Sequence, residues 1–156
     1  MAVAFDQISP ALDILQNNLQ RTLPTRMTTI AAELVLNIQS NMNAGIDIDG
    51  IPFAPNTEAT KSRKRSGLVM IESTALRDSW RFEQSANTVE LFTENIYSTT
   101  MQYGAKKGQF GTMSNGQPIP WGDIPPRKMI PNDQDDMPQG WQIIIDRYLE
   151  PLVNWE

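Results

Sequence analysis

The side chains that could do chemistry fall in a few short stretches. Lys61-Ser62-Arg63-Lys64-Arg65 is strongly basic, a run suited to phosphate or to a carboxylate-bearing partner. Asp47-Ile48-Asp49-Gly50 opens like a calcium loop, and Glu58 falls eleven residues after Asp47. The fifth and sixth positions of such a loop would be Ile51 and Pro52, where a ligand and a glycine are required, so the stretch reads as an Asp-Gly turn. Gly104, Gly108 and Gly111 are irregularly spaced and lack the Lys-Ser/Thr ending of a phosphate loop. Asp133, Asp135 and Asp136 sit in a polar loop, where solvated charge is the ordinary reading. A two-carboxylate hydrolase needs acids paired in a cleft with split pKa values, and nothing in the sequence points to one. The chain contains neither cysteine nor histidine. That removes disulfides, thiolate zinc sites, cysteine nucleophiles and the Ser-His-Asp arrangement. No catalytic, cofactor-binding or metal-ligating residue is assigned, and an enzyme is the weaker hypothesis.

The stretch with the most organisation is Tyr97 to Pro131. A short amphipathic segment, Tyr97 to Tyr103, stops at Gly104. A loop rich in Gly, Ser, Asn and Lys follows, and then Ile124-Pro125-Pro126-Arg127-Lys128-Met129-Ile130-Pro131. The two adjacent prolines fix φ and remove two donors, so Ile124 to Arg127 is expected to be an extended arm outside any central strand. A rigid arm after a flexible loop holds something, either its own domain or a neighbour. Tyr103, Gly104, Lys106, Lys107, Phe110, Trp121, Ile124, Pro125, Pro126 and Arg127 are therefore the interface candidates. Arg127 is expected to pair with a carboxylate, within the subunit or across an interface.

At 156 residues the simplest organisation is one domain spanning 1–156, able to bury roughly 70% of its unfolded surface. Residues 46–67 and 104–118 read as its long loops. One fifth of the residues are charged and no apolar run approaches the ~18 residues of a membrane span. The N-terminus lacks the basic and apolar regions of a signal peptide, so the expectation is a chain made and kept in a cytoplasm, with no membrane partner. A net charge of −5 argues against wholesale nucleic-acid binding.

Taken in order, Ser9-Pro10 is a helix-start signal, with Ser9 as N-cap. Ile8, Leu12, Leu15 and Leu19 share one stripe; Pro24 then kinks the run or opens a second helix. Met27, Ile30, Ala31, Leu34, Ile38 and Met42 form the next stripe, ending near Asn43-Ala44-Gly45. Both stripes are expected to pack into the core. Phe53 is a candidate core anchor, the basic run a short solvated helical turn, and Ser73 or Thr74 the cap of a short helix. Trp80 and Phe82, then Val89 and Leu91, alternate with polar residues on either side of Ser85-Ala86-Asn87, a β-hairpin pattern. Trp141, Ile144, Ile145, Tyr148, Leu149, Leu152 and Trp155 mark a C-terminal amphipathic helix, with Pro138 at its start and Pro151 kinking or ending it. A further strand is expected within 119–130. The fold class is α+β: two N-terminal helices and a C-terminal helix packed on a small antiparallel sheet, with a long loop and a Pro-braced extended arm.

The order of motifs carries a resemblance. Gly50-Ile-Pro-Phe-Ala-Pro55 resembles the "G-x-P-W-x-P" segment of the Mu-like phage virion-morphogenesis (tail-completion) family, with Phe53 where Trp is frequent. Ser73-Thr-Ala-Leu-Arg-Asp-Ser79 is similar to its "T-G-x-L-R-x-S", Tyr97 through Gln102-Tyr103-Gly104 to its "Y-A-x-x-H-Q-x-G", and Ile124-Pro-Pro-Arg127 to its "I-P-x-R-x-F". Thr74 replaces the usual Gly, Met101 stands where His is common, and Met129 where Phe is common. The likeness covers about residues 8 to 150. It implies a structural protein of a tailed bacteriophage, without cofactor, in the virion at the head–tail junction and assembled in the host bacterial cytoplasm. Members are expected to form rings, with six copies the anticipated number, that complete the tail. Implied partners are the chain itself, the tail tube or sheath, and the head-connector (stopper or adaptor) proteins; genomic DNA passes through without specific binding. The related neck and tail-terminator families share the layout. The competing reading is a nucleic-acid-binding module using Lys61, Arg63, Lys64 and Arg65 with Lys106 and Lys107, whose binding would fall steeply with salt.

Overall fold

The computed structural model describes residues 5–85, 88–132 and 134–153, apart from the side chains of residues 5–9, 11, 59 and 153. One helix, α1 (Phe5–Ala44), occupies the N-terminal quarter, where two were expected. Pro10 and Pro24 both lie inside it. Ser9 is therefore a helical residue and not a cap. A proline costs a helix one hydrogen bond and crowds the preceding turn, and here side chains from inside and outside the helix hold the turns around Pro24. Gln84 Nε2 donates to the Pro24 carbonyl (3.0 Å), Thr28 Oγ1 donates to the same oxygen (3.0 Å), and Arg26 Nη1 reaches the Tyr148 carbonyl (2.5 Å). Gly45 ends the helix with φ +72°, the left-handed conformation of a helix stop.

At 1.5 Å per residue α1 is about 60 Å long, and its buried core residues lie in its second half. Ile30, Leu34, Ile38 and Met42, each one turn apart, enter the core with Ile48, Leu76, Trp80, Met129, Trp141 and Ile144. The first stripe does not join them. Leu12 is 57% exposed, Leu15 and Leu19 are half-buried, and Ile8 falls outside the described side chains. Periodicity marks an apolar face without saying what covers it.

Two short helices follow the turn at 47–51: α2 (Glu58–Lys61), capped by Thr57, and α3 (Ala75–Asp78). Asp47 Oδ1 accepts the amides of Asp49 (2.9 Å) and Ile51 (2.8 Å), so this carboxylate closes its own turn. Phe53 is buried, as an anchor should be. The basic run starts at the last residue of α2 and continues beyond it. At α3 the Thr74 side chain caps no backbone amide, while the Ala75 amide points to Ser73 Oγ at 3.5 Å.

Strands β1 (Trp80–Ser85) and β2 (Thr88–Thr93) form the antiparallel hairpin, with Trp80 opposite Thr93 and Phe82 opposite Leu91. Trp80 is buried and Phe82 and Gln84 half-buried, while Arg81, Glu83 and Ser85 face out. Residues 86 and 87 of the expected turn lie outside the described residues. Helix α4 (Ser98–Tyr103) leads into the 104–131 segment, and α5 (Gln139–Val153) runs antiparallel to α1. Trp141 Nε1 donates to Asn37 Oδ1 (3.2 Å), Arg147 Nη1 pairs with Glu33 (3.1 Å), and the Tyr148 hydroxyl donates to the same carboxylate. That carboxylate raises the Tyr148 pKa above its ordinary value. Pro151 lies within α5, and Trp155 lies outside the described residues. The architecture is α+β, helices with a two-stranded sheet.

Candidate functional site

The 104–131 segment is built from a clamp upward. Gln102 on α4 is only 6% exposed. Its Oε1 accepts the amides of Met129 (2.7 Å) and Ile130 (3.3 Å), and its Nε2 donates to the Ile130 carbonyl (2.7 Å) and to Asn132 Oδ1 (3.2 Å). One side chain thus satisfies four groups of the arm. The Arg127 amide donates to the Met101 carbonyl (2.7 Å), extending the seam by one contact. Gly104 follows with φ +74° and ψ −177°, a region open almost only to glycine. A Cβ there would lie 2.5 Å from the Ile124 carbonyl oxygen and 2.9 Å from the Pro126 nitrogen. Glycine is required twice over, by torsion and by the close pass of the arm.

Beyond Gly104 the chain doubles back as an irregular ribbon rather than the extra strand expected within 119–130. Ala105 and Ile124 exchange backbone hydrogen bonds (2.9 and 2.7 Å). The amides of Gly108 and Phe110 donate to the carbonyls of Pro120 (3.0 Å) and Ile119 (2.8 Å), and Met113 and Gln117 close the tip (2.8 Å). The Ile119–Pro120 peptide is cis. Asp123 binds the ribbon's base, accepting the Lys107 amide (2.8 Å) and Lys106 Nζ (3.0 Å). That amide first, and the lysine second, hold the Asp123 carboxyl below the usual range. Tyr103, Phe110 (54%), Met113 and Trp121 (49%) stand exposed along this segment.

Within the subunit, Arg127 departs from one of the two expectations. It is 6% exposed and meets no carboxylate among the described residues; Nη2 donates to the Ala54 carbonyl (3.1 Å), and Nη1 faces the Met101 sulfur at 3.9 Å. Its Nε–H has no partner. Burial lowers its pKa. The carboxylates go to Lys128 instead, whose Nζ lies 2.8 Å from Asp49 and 3.1 Å from Asp135. Asp135 also accepts the Asn132 amide (2.6 Å), which is the main cause of its depressed pKa, ahead of Lys128. Asp133 lies outside the described residues.

Two stretches separate in sequence meet here. Arg63 lies over the Trp121 ring, 4.8 Å from its centroid. The walls carrying the basic run and the Pro-braced arm enclose two adjoining hollows of about 360 and 620 Å³. Both contain Thr57, Thr60, Lys64, Glu72, Asp123 and Ile124; the first adds Met101, Pro125 and Arg127, the second Arg63 and Trp121. Lys61 stays outside this groove, paired with Glu58 (2.8 Å), and the Arg65 amide donates to Glu72 (3.2 Å). Pro126 is exposed, seated against Gly104. Gln102 is the residue that composition and spacing did not single out; its place in the Tyr97–Gly104 motif was the available signal.

Among the described residues no group of three or more acidic side chains is arranged to hold a metal, and no helix is long and apolar enough to cross a membrane. The surface carries a clamped arm, a laced ribbon and a groove whose cations have no carboxylate partner among the described residues. The profile of the phage virion morphogenesis family matches residues 3–150, and the chain belongs to that family. This is a structural and assembly family, and membership gives the chain a role in building a bacteriophage virion. No curated protein and no solved structure matches the chain.

Proposed function

We propose that the chain forms a closed ring at the head–tail junction of a tailed phage, where it completes the tail and accepts the head connector. The observation that carries this reading is the 104–131 segment. It is fixed to the body by Gln102 and Gly104, yet it leaves Tyr103, Phe110 and Met113 exposed, with Trp121 half exposed under Arg63. Large apolar side chains on a rigid projection suit contact with another protein. A subunit offering different surfaces to its two neighbours assembles by rotation, and closes when the rotation divides a circle. Six copies remain the anticipated number. A net charge of −5 suits a channel through which DNA slides without sticking.

The basic run fits this reading better than a phosphate-tracking strip. Lys61 is paired with Glu58, Arg63 lies on Trp121, and Lys64 Nζ donates to the Leu68 carbonyl (2.7 Å). The test is the mass of the purified chain by light scattering, with negative-stain imaging, alone and after mixing with purified tails and connectors. Closed rings, free or on the tail end, are the expected result. A chain that stays monomeric and binds neither tails nor connectors would overturn the proposal.

A further inference from the structure

Among the described residues, the groove holds three cations without a carboxylate partner. Arg63 stacks on Trp121, Lys64 reaches only a carbonyl, and Arg127 uses two of its five donors, its buried Nε–H being unpartnered. A buried guanidinium facing only a carbonyl and a thioether is poorly compensated, and a carboxylate is the group that would complete it. Two acids share the wall, but both are engaged: Asp123 with Lys106 and the Lys107 amide, Glu72 with the Arg65 amide. They also disfavour a polyphosphate backbone as occupant. Beyond the arm lies the opposite chemistry. Asp135 is tied to Lys128, while the next residues, Asp136 and Met137, stand exposed, and Asp136 makes no hydrogen bond or ion pair with another described residue. None of Asp49, Lys128, Asp135 or Asp136 lines the groove. One subunit therefore carries a cationic groove with apolar walls and, as a separate patch, an acidic corner beside an exposed thioether.

The geometry points to a head-to-tail contact in which the Asp136–Met137 corner of one copy enters the Arg63–Lys64–Arg127 groove of the next. Two different complementary patches make a heterologous interface, the kind that generates rings. The inference rests on the ring reading above and names the surface by which the ring closes.

The test uses two charge-reversed chains. One carries Arg63→Glu and Lys64→Glu, the other Asp136→Lys; all three positions lie outside the core, so folding is expected to survive and is checked by circular dichroism. Each variant alone places like charges at the contact, and association should weaken on the order of tenfold or more. Mixed in equal amounts they should restore assembly, because each reversed groove then meets a reversed corner and each native groove a native one. Since the chain has no cysteine, Lys64→Cys and Asp136→Cys chains give a second readout: oxidation should link the two to each other far more than either to itself. Variants that assemble like the parent, a mixture without rescue, or unselective cross-linking would overturn the groove while leaving the ring intact. Salt-sensitive duplex DNA binding lost in Arg63→Glu would overturn it in favour of phosphate. A parent chain that never self-associates, alone or on tails, would remove the ring reading itself.

Discussion

Replacing Gln102 isolates the clamp on the arm. In Gln102→Leu the side chain keeps its volume but loses four hydrogen bonds, to Met129, Ile130 and Asn132. The buried Met129 amide is left without an acceptor, about 1–3 kcal/mol by itself. The other three groups are only partly buried and recover water, so they add less, and the new apolar burial offsets part of the sum. The net expectation is about 3 kcal/mol, or roughly 6–12 °C in Tm for a chain of this size. Gln102→Glu provides a control of opposite pH behaviour. An ionised carboxyl there still accepts the Met129 amide but faces the Ile130 carbonyl oxygen with no donor. Burial and that carbonyl favour its neutral form, which raises its folded-state pKa above the ordinary value of about 4.3. A raised folded-state pKa means the stabilising interaction is complete below about 4.3 and lost as pH rises through the folded value. Thermal melts of parent and variants at matched pH, with exchange protection of the Met129 amide, measure both effects. A Gln102→Leu cost under ~0.5 kcal/mol, or a Gln102→Glu penalty unchanged between acid and neutral pH, would refute the clamp.

Further expectations follow from the same contacts. Gly104→Ala should cost more than Gly116→Ala, by about 1–3 kcal/mol in denaturant melts, because both have positive φ but only Gly104 has backbone within 3 Å of the added carbon. Ile38→Ala should cost about 2–5 kcal/mol, whereas Leu12→Gln should stay within ~0.5, which locates the core on the second half of α1. Asp123 and Asp135 should titrate below the ordinary aspartate value of about 3.9 in carboxyl NMR spectra. Their pKa values being depressed, their anchoring of ribbon and arm is complete above about 3.9 and is lost as pH falls further through the folded values. Midpoints at or above 3.9 would contradict the contacts described.

The hairpin was legible because period-two alternation at Trp80, Phe82, Val89 and Leu91 has one structural meaning, and the stripe from Ile30 to Met42 was legible for the same reason at helical period. Pro24 misled because the contacts that hold its turn, Gln84 to the Pro24 carbonyl and Arg26 to the Tyr148 carbonyl, join it to residues distant in sequence. Leu12 misled because a stripe reports amphipathicity and not its cover. Arg127 was expected to meet a carboxylate, but its acceptor within the subunit is a backbone carbonyl 73 residues away, and no side-chain pattern encodes that. The convergence of the basic run on the arm was likewise unreadable, since it depends on Trp121 being carried under Arg63 by the ribbon's fold.

The ribbon's hydrogen bonds are made within the ribbon, and the ordering of its backbone is thereby charged to folding. In the proposed ring, Phe110, Met113 and Trp121 would meet a neighbour on a scaffold whose conformational entropy has already been lost, so docking would forfeit little beyond side-chain rotamers. Loosening the lacing far from any contact, at Asp123 for example, would therefore weaken assembly without removing a single atom from the interface. In such a ring, affinity would reside in the loop's own stitching as much as in the side chains that touch the partner.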